Sequence, residues 1–295
     1  MTEEQHTPPQ SLDALIVLIQ QNFPSMTRQF QVSARYLIDF PGEIPIASMR
    51  QVAAQAGVQP ATLVRLAQSL GYEGWNALKS VFAQSLRQVP HRYTEQARKV
   101  IRSKNPRDVL GKAVATQARN ITLLEEMNAD RLASAVSLLS AAKRVYIAGF
   151  RASFGPAFLF QYLYRLFRPS VSMLRGDAGS LDMELRAINK GDVVAIIGFA
   201  PYSHESMRVV QAARQSGARI LAICDSIVAP IALDADCVLA FPTETPSFFP
   251  SSSAAVALLE ILTEQLLAKA GKQAVNDIAR TEDQLHQAGA YLNTN

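Results

Sequence analysis

Two groups of residues in this chain have types and spacings suited to chemistry. The first lies between Met49 and Tyr72, MRQVAAQAGVQPATLVRLAQSLGY. With Pro60 opening a helix, Leu63, Leu66, Ala67 and Leu70 form an apolar stripe, and Thr62, Arg65, Gln68 and Ser69 share the opposite face. Arg, Gln and Thr on such a face can hydrogen-bond base edges or phosphates in a DNA major groove; the bland alternative is a helical hairpin whose polar face is only solvated. Arg50 and Gln59 join these four as candidate DNA contacts. The second group is a set of hydroxyl-bearing turns: Gly149-Phe150-Arg151-Ala152-Ser153, Gly198-Phe199-Ala200-Pro201-Tyr202-Ser203, Asp225-Ser226 and Pro250-Ser251-Ser252-Ser253. Serines with free N–H groups at a helix start can cradle an anion, although any single one serves equally well as a plain N-cap. His204 and Glu205 add a possible general base for an aldose–ketose isomerisation, or a solvated pair in a helix's first turn.

These groups need elements to hold them. Val52, Ala53 and Ala56 recur at helical spacing, Gly57 can turn left-handed where that helix stops, and Val58 plugs the turn. Helical patterns over 11–20 and 25–40 brace the pair from before, and 76–86, with Trp75, Leu78 and Phe82, closes the small core from behind. Residues 1–10 read as a loose tail and Val89-Pro90 as the end of the unit. Beyond residue 110, β-branched runs at 144–148, 171–174, 193–197, 219–223 and 237–241 alternate with helical stretches at 154–167, 181–188, 203–216 and 254–270. Short apolar strands separated by helices predict a parallel sheet covered on both faces. The expected fold class is therefore α plus α/β: a helical domain over 1–88, a connector over 89–112, and a three-layer domain with a five-stranded parallel sheet over 113–285. Ligands of such sheets sit at the carboxyl ends of the strands, where all four serine turns fall.

Charge separates the two halves. Nine basic residues and two acidic ones lie between Ser48 and Lys104, whereas 29 Lys+Arg and 25 Asp+Glu leave the whole chain at +4, so the remainder is net acidic. A basic module on an acidic body fits a protein that neutralises phosphates at one end. At 295 residues and 48% apolar, the chain can bury two cores. The early apolar run, Leu15 to Ile19, is too short to span a membrane and lacks a basic flank, so a cytoplasmic protein with no membrane partner is expected. Cys224 and Cys237 stand apart in apolar surroundings, which points to buried small hydrophobes and to no metal site. The first turn is not GxGxxG and no GxxxxGK[ST] occurs, so neither nucleotide-binding motif is present and no cofactor is expected.

The segments Pro60-Ala61-Thr62-Leu63-Val64-Arg65, Leu70-Gly71-Tyr72-Glu73-Gly74-Trp75, Gly149-Phe150-Arg151-Ala152-Ser153-Phe154 and Pro201-Tyr202-Ser203-His204-Glu205-Ser206 resemble, in that order, the RpiR family of bacterial transcriptional regulators. The resemblance covers nearly the whole chain. It implies a SIS (sugar isomerase) domain as the C-terminal half, a homodimer or dimer of dimers bound to an inverted-repeat operator, and a small-molecule effector, usually a phosphorylated sugar. By position it puts Thr62 and Arg65 on the DNA and Ser153, Ser203 and Ser251 around the effector, with Arg151, Ser226 and Ser252 as neighbours. This implies a non-enzyme, with a SIS-type phosphosugar isomerase using His204 and Glu205 as the rival reading. The chain departs from the family where Gln59 replaces a serine at the start of the recognition helix. It also has Arg151 where many SIS domains have a second glycine, and GFAPYS where they have SxSGxT. Arg151 is open to three roles: contacting a phosphate or carboxylate, filling the pocket, or pairing with an acidic neighbour.

Overall fold

The computed structural model describes residues 8–41, 43–88, 92–102, 106–227 and 229–290, and the chain separates into two compact units, Met1–Arg102 and Ser103–Asn295. Among the described residues no helix is long and apolar enough to cross a membrane.

The first unit is all helical: α1 (Leu12–Asn22), α2 (Arg28–Asp39), α3 (Met49–Ala56), α4 (Pro60–Ser69), α5 (Trp75–Gln88) and α6 (Arg92–Arg102). Ser11 and Thr27 cap α1 and α2 by accepting from Ala14 N and Phe30 N. Helix α3 starts in a capping box in which Ser48 accepts from Gln51 N at 3.3 Å and Gln51 Oε1 from Ser48 N at 2.8 Å. It ends at Gly57, which takes φ 70, and Val58 N returns to Ala53 O at 2.9 Å. Leu15, Ile19, Leu37, Ile44, Val52, Leu63, Leu66, Leu78 and Phe82 are all buried and form the core, each adding about 1.5–3 kcal/mol of apolar burial. Lys79 Nζ donates to Ala47 O at 2.7 Å and so ties α5 to the turn before α3. Residues 1–7 and Val89-Pro90 lie outside the described residues; within the expected loose tail, Pro9 is fastened, since its carbonyl accepts the Tyr72 hydroxyl at 2.6 Å.

The second unit runs α7 (Pro106–Ser140), β1 (Val145–Gly149), α8 (Phe154–Arg165), β2 (Val171–Leu174), α9 (Leu181–Leu185), β3 (Val193–Gly198), α10 (His204–Ser216), β4 (Arg219–Cys224), β5 (Cys237–Ala240), α11 (Ser253–Ala270) and α12 (Lys272–Gln287). All strands are parallel in the order β2-β1-β3-β4-β5. Side chains alternate across the sheet. Val145, Ile147, Val193, Ala195, Ile197, Leu221 and Ile223 pack on α7, α8 and α11, whereas Tyr146, Ala148, Val194, Ile196, Ile220 and Ala222 pack on α9 and α10. Every strand lies within a residue of its expected span, while α9 stops three residues short of the expected Ile188. Helix α6 falls inside the segment expected as a connector, and two further helices lie outside the expected ones: α12, and α7, which extends 35 residues from inside that same segment. The free edge of β5 is closed by α7, where Asn128 Nδ2 donates to Ala240 O and its Oδ1 accepts from Ala240 N, each at 2.8 Å.

Candidate functional site

Helix α4 carries the candidate DNA face. Leu63, Leu66, Ala67 and Leu70 are buried, while Arg65, Gln68 and Ser69 are exposed and Thr62 half-buried on the other side. Arg50 on α3 is also exposed. Gln59 occupies the N-cap position without a capping side-chain bond, so the first N–H groups of α4 keep no side-chain partner from it. The Ser69 hydroxyl is turned back to Leu66 O at 2.8 Å. The reciprocal Ser48/Gln51 cap, legible as S-x-x-Q, is the signal in this region that sequence reasoning missed.

The serine turns do line the carboxyl edge of the sheet, but they are not equivalent. At the end of β1, Gly149 allows α8 to begin against the strand: a Cβ there would stand 2.5 Å from Ser153 O and 2.6 Å from Ala157 Cβ. Arg151 follows with φ 57, a conformation that L side chains seldom adopt. Its guanidinium reaches Glu205 Oε1, in the first turn of the helix after the neighbouring strand β3, at 3.6 Å, with side-chain exposures of 78% and 35%. Ser153 is only 5% exposed and its side chain makes no capping bond to α8.

The turn after β3 is filled from within. Phe199 is buried with its ring edge-on to Phe241 and Phe249 at 6.3 Å. Asp225, at the end of β4, accepts Ala200 N at 3.1 Å and also the Tyr202 hydroxyl. Burial, then the Asp225 charge, pushes the Tyr202 phenol well above its ordinary value. At Gly198 a Cβ would come within 3.0 Å of Ile231 Cδ1 and 3.4 Å of Tyr202 Cδ1. Ser203 is a working N-cap, accepting Ser206 N at 3.2 Å. Glu205 is held below the ordinary carboxylate range, first by its own backbone N–H, and, against the opposing effect of burial, by Ser203, Arg151 and His204. His204 is exposed beside it.

Ser226 is half-buried, and its carbonyl accepts from Ala229 N at 3.0 Å and lies 3.1 Å from the Cys224 sulfur. Cys224 itself is fully buried and its thiol is pushed up to about 12 by that burial, while Cys237 is half-buried. Past β5, Ser251 Oγ donates to Ser253 Oγ at 3.1 Å, and Ser253 Oγ donates to Gln117 Oε1 on α7 at 3.0 Å. Ser252 precedes α11 without capping it. Asp225 as the clamp of the β3 turn, Glu205 as the partner of Arg151, and Gln117 are therefore site residues that the sequence did not single out in those roles.

Residues 14–89 match the helix-turn-helix domain of the rpiR family, and residues 138–268 match the SIS domain. The HTH-type transcriptional regulator RpiR of Escherichia coli K12 is 26% identical over 229 residues, which is 75% of this chain and 75% of that protein. HexR, an HTH-type transcriptional regulator of Pseudomonas aeruginosa, is 24% identical over 279 residues, covering 92% and 95%. Among solved structures, the Vibrio vulnificus NanR protein complexed with ManNAc-6P superposes with a TM-score of 0.56 at 17% identity, over 94% of this chain and 99% of that one. The sugar isomerase domain of an RpiR transcription factor from Sphaerobacter thermophilus gives 0.57 at 17% identity, over 59% and 98%. At these identities the two structures speak for the fold. With both domains matched in the order that their helices and strands display, the chain belongs to the RpiR family of transcriptional regulators, a helix-turn-helix domain followed by a SIS domain.

Proposed function

We propose that this protein is a metabolite-responsive transcriptional regulator in which α4 reads operator DNA and the carboxyl edge of the sheet senses a small anion of the phosphorylated-sugar class. The observation that carries the DNA half is the division of α4 into a buried apolar stripe and an exposed face bearing Arg65 and Gln68, within the basic part of the chain. The effector class is supported by a relative of the same fold, NanR, solved with ManNAc-6P. Arg50, Gln59, Thr62, Arg65, Gln68 and Ser69 form the DNA-facing set; Arg151, Ser153, Ser203, Ser226, Ser251 and Ser252 surround the effector.

The regulator acts as a homodimer on an inverted repeat, because two-fold symmetry in the protein is matched by two half-sites in the DNA. Two exposed apolar stripes support this: Leu110, Val114 and Ile121 on α7, and Phe154, Phe158 and Tyr162 on α8. The rival reading, a phosphosugar isomerase, needs Glu205 or His204 as a general base. A carboxylate already held by an N–H, a hydroxyl and a guanidinium takes up a proton poorly, which favours sensing over catalysis. Arg65→Ala tests the assignment. Operator affinity in a gel-shift titration is expected to fall about 5- to 100-fold with the thermal transition unchanged, the range for one base or phosphate contact. Affinity equal to wild type would remove Arg65 from the interface, and steady turnover of a sugar phosphate would restore the isomerase.

A further inference from the structure

The two helix starts at the centre of the sheet's carboxyl edge offer an anion very different surroundings. In the strand order β2-β1-β3-β4-β5, β1 and β3 are neighbours whose following helices, α8 and α10, cover opposite faces. A crevice at such a switch point is where ligands of doubly wound sheets bind. On the β3 side the donors are already committed to the chain's own acceptors, two of them carboxylates. The Asp225 carboxylate takes Ala200 N and the Tyr202 hydroxyl, Glu205 takes its own N–H, and the Ser203 hydroxyl accepts from Ser206 N. The tight fit of Ile231 and Tyr202 around Gly198 leaves no room for a further side chain there. An incoming phosphate or carboxylate would meet two negative groups.

The β1 side is the reverse. Ser153 is 5% exposed, and neither Phe150 nor Ser153 caps the turns that open α8 with its side chain. Arg151, held at φ 57, brings the positive charge. Its pairing with Glu205 spans 3.6 Å between partly exposed side chains, a weak ion pair that a better-fitting anion can displace.

We propose that the effector's anionic group is received by Arg151 and Ser153 at the start of α8, in exchange for Glu205. Arg151 then sets the site's preference for anions, and the Arg151–Glu205 pair is the latch that the ligand opens. This rests on the reading of the carboxyl edge as an effector site. A phosphate monoester and the carboxylate of a sugar acid both present the paired oxygens that a guanidinium fork recognises.

The test uses the full chain, with inorganic phosphate, glucose 6-phosphate and gluconate as probes, followed by calorimetric titration and thermal shift. Binding of whichever probe is taken up should weaken at least about tenfold in Arg151→Gln. It should tighten about threefold or more in Glu205→Gln, because the internal competitor is gone. A merely structural Glu205 would not give that tightening. Glucose 6-phosphate bound more tightly than gluconate identifies the phosphate as the anion, and the opposite order identifies the carboxylate. Binding within twofold of wild type in Arg151→Gln, weakening in Glu205→Gln, or no uptake of any probe by wild type and Glu205→Gln at millimolar concentration each overturns the proposal. If the pattern holds but no probe alters operator affinity, the latch stands and the sensor reading falls. If glucose 6-phosphate alters operator affinity equally in wild type and Arg151→Gln, the sensor stands and the latch falls.

Discussion

Glu205 binds its proton more weakly in the folded chain than an ordinary carboxyl with a value of 4.5, because its own N–H, Ser203 and Arg151 favour the charged form. A lowered folded value means that the stabilisation is fully present above the unfolded value and is lost as pH falls through the folded one. The melting temperature of wild type should therefore exceed that of Glu205→Gln near about pH 7, and the two should converge towards about pH 3. A gap that persisted in acid would mean that Glu205 acts through packing rather than charge. At this scale the sequence is legible where one helix supplies the whole pattern. Leu63, Leu66, Ala67 and Leu70 are buried as their spacing demands, and Arg65 and Gln68 face outwards. It is not legible where partners come from different strands. Arg151 meets Glu205, and Asp225 meets Ala200, only because β1, β3 and β4 lie side by side in parallel register, and no local pattern encodes that pairing.

Elements depend on what the backbone must approach as much as on apolar period. Gly57 and Gly149 make the contrast. At Gly57 nothing lies within 4 Å of a built Cβ but φ is +70, so Gly57→Ala should cost about 1–2 kcal/mol through conformation alone. At Gly149 the obstacle is contact, with Ser153 O at 2.5 Å, and Gly149→Ala should cost about 1–3 kcal/mol by forcing α8 off the strand. Urea denaturation of both variants checks the magnitudes, and only Gly149→Ala should also loosen the ligand edge, read as a smaller thermal shift by the bound probe. Equal ligand responses would detach α8's seating from the site. The strands were readable because a sheet covered on both faces concentrates apolar residues into short runs. Helices α7 and α12 were not. Their described surfaces are largely exposed, and the buried stretch of α7 is interrupted by Asn120 and Asn128, whose amides meet the backbone at and beyond β5 instead of an apolar neighbour.

For the molecule as a whole, the decisive quantity is the number of copies that act together. Sedimentation equilibrium at micromolar concentration should return a multiple of 32.2 kDa, two copies or four. Phe158→Glu, which sets a charge into the exposed stripe of α8, should shift that mass towards one copy while leaving the fold intact. A monomer in the wild type would overturn the proposed two-fold reading of an inverted repeat. The length of α7 bears on the same scale. Between Val109 and Arg119 its surface is largely open, and burial starts at Asn120, while Gln117 is fastened to Ser253 at the start of α11. At 1.5 Å of rise per residue, Pro106 stands about 17 Å along the axis from Gln117. A tilt of about five degrees at that fastening would move Pro106 by about 1.5 Å. Geometrically the helix is a lever arm: any tilt at Gln117 is carried to Pro106 in proportion to the eleven residues of rise between them.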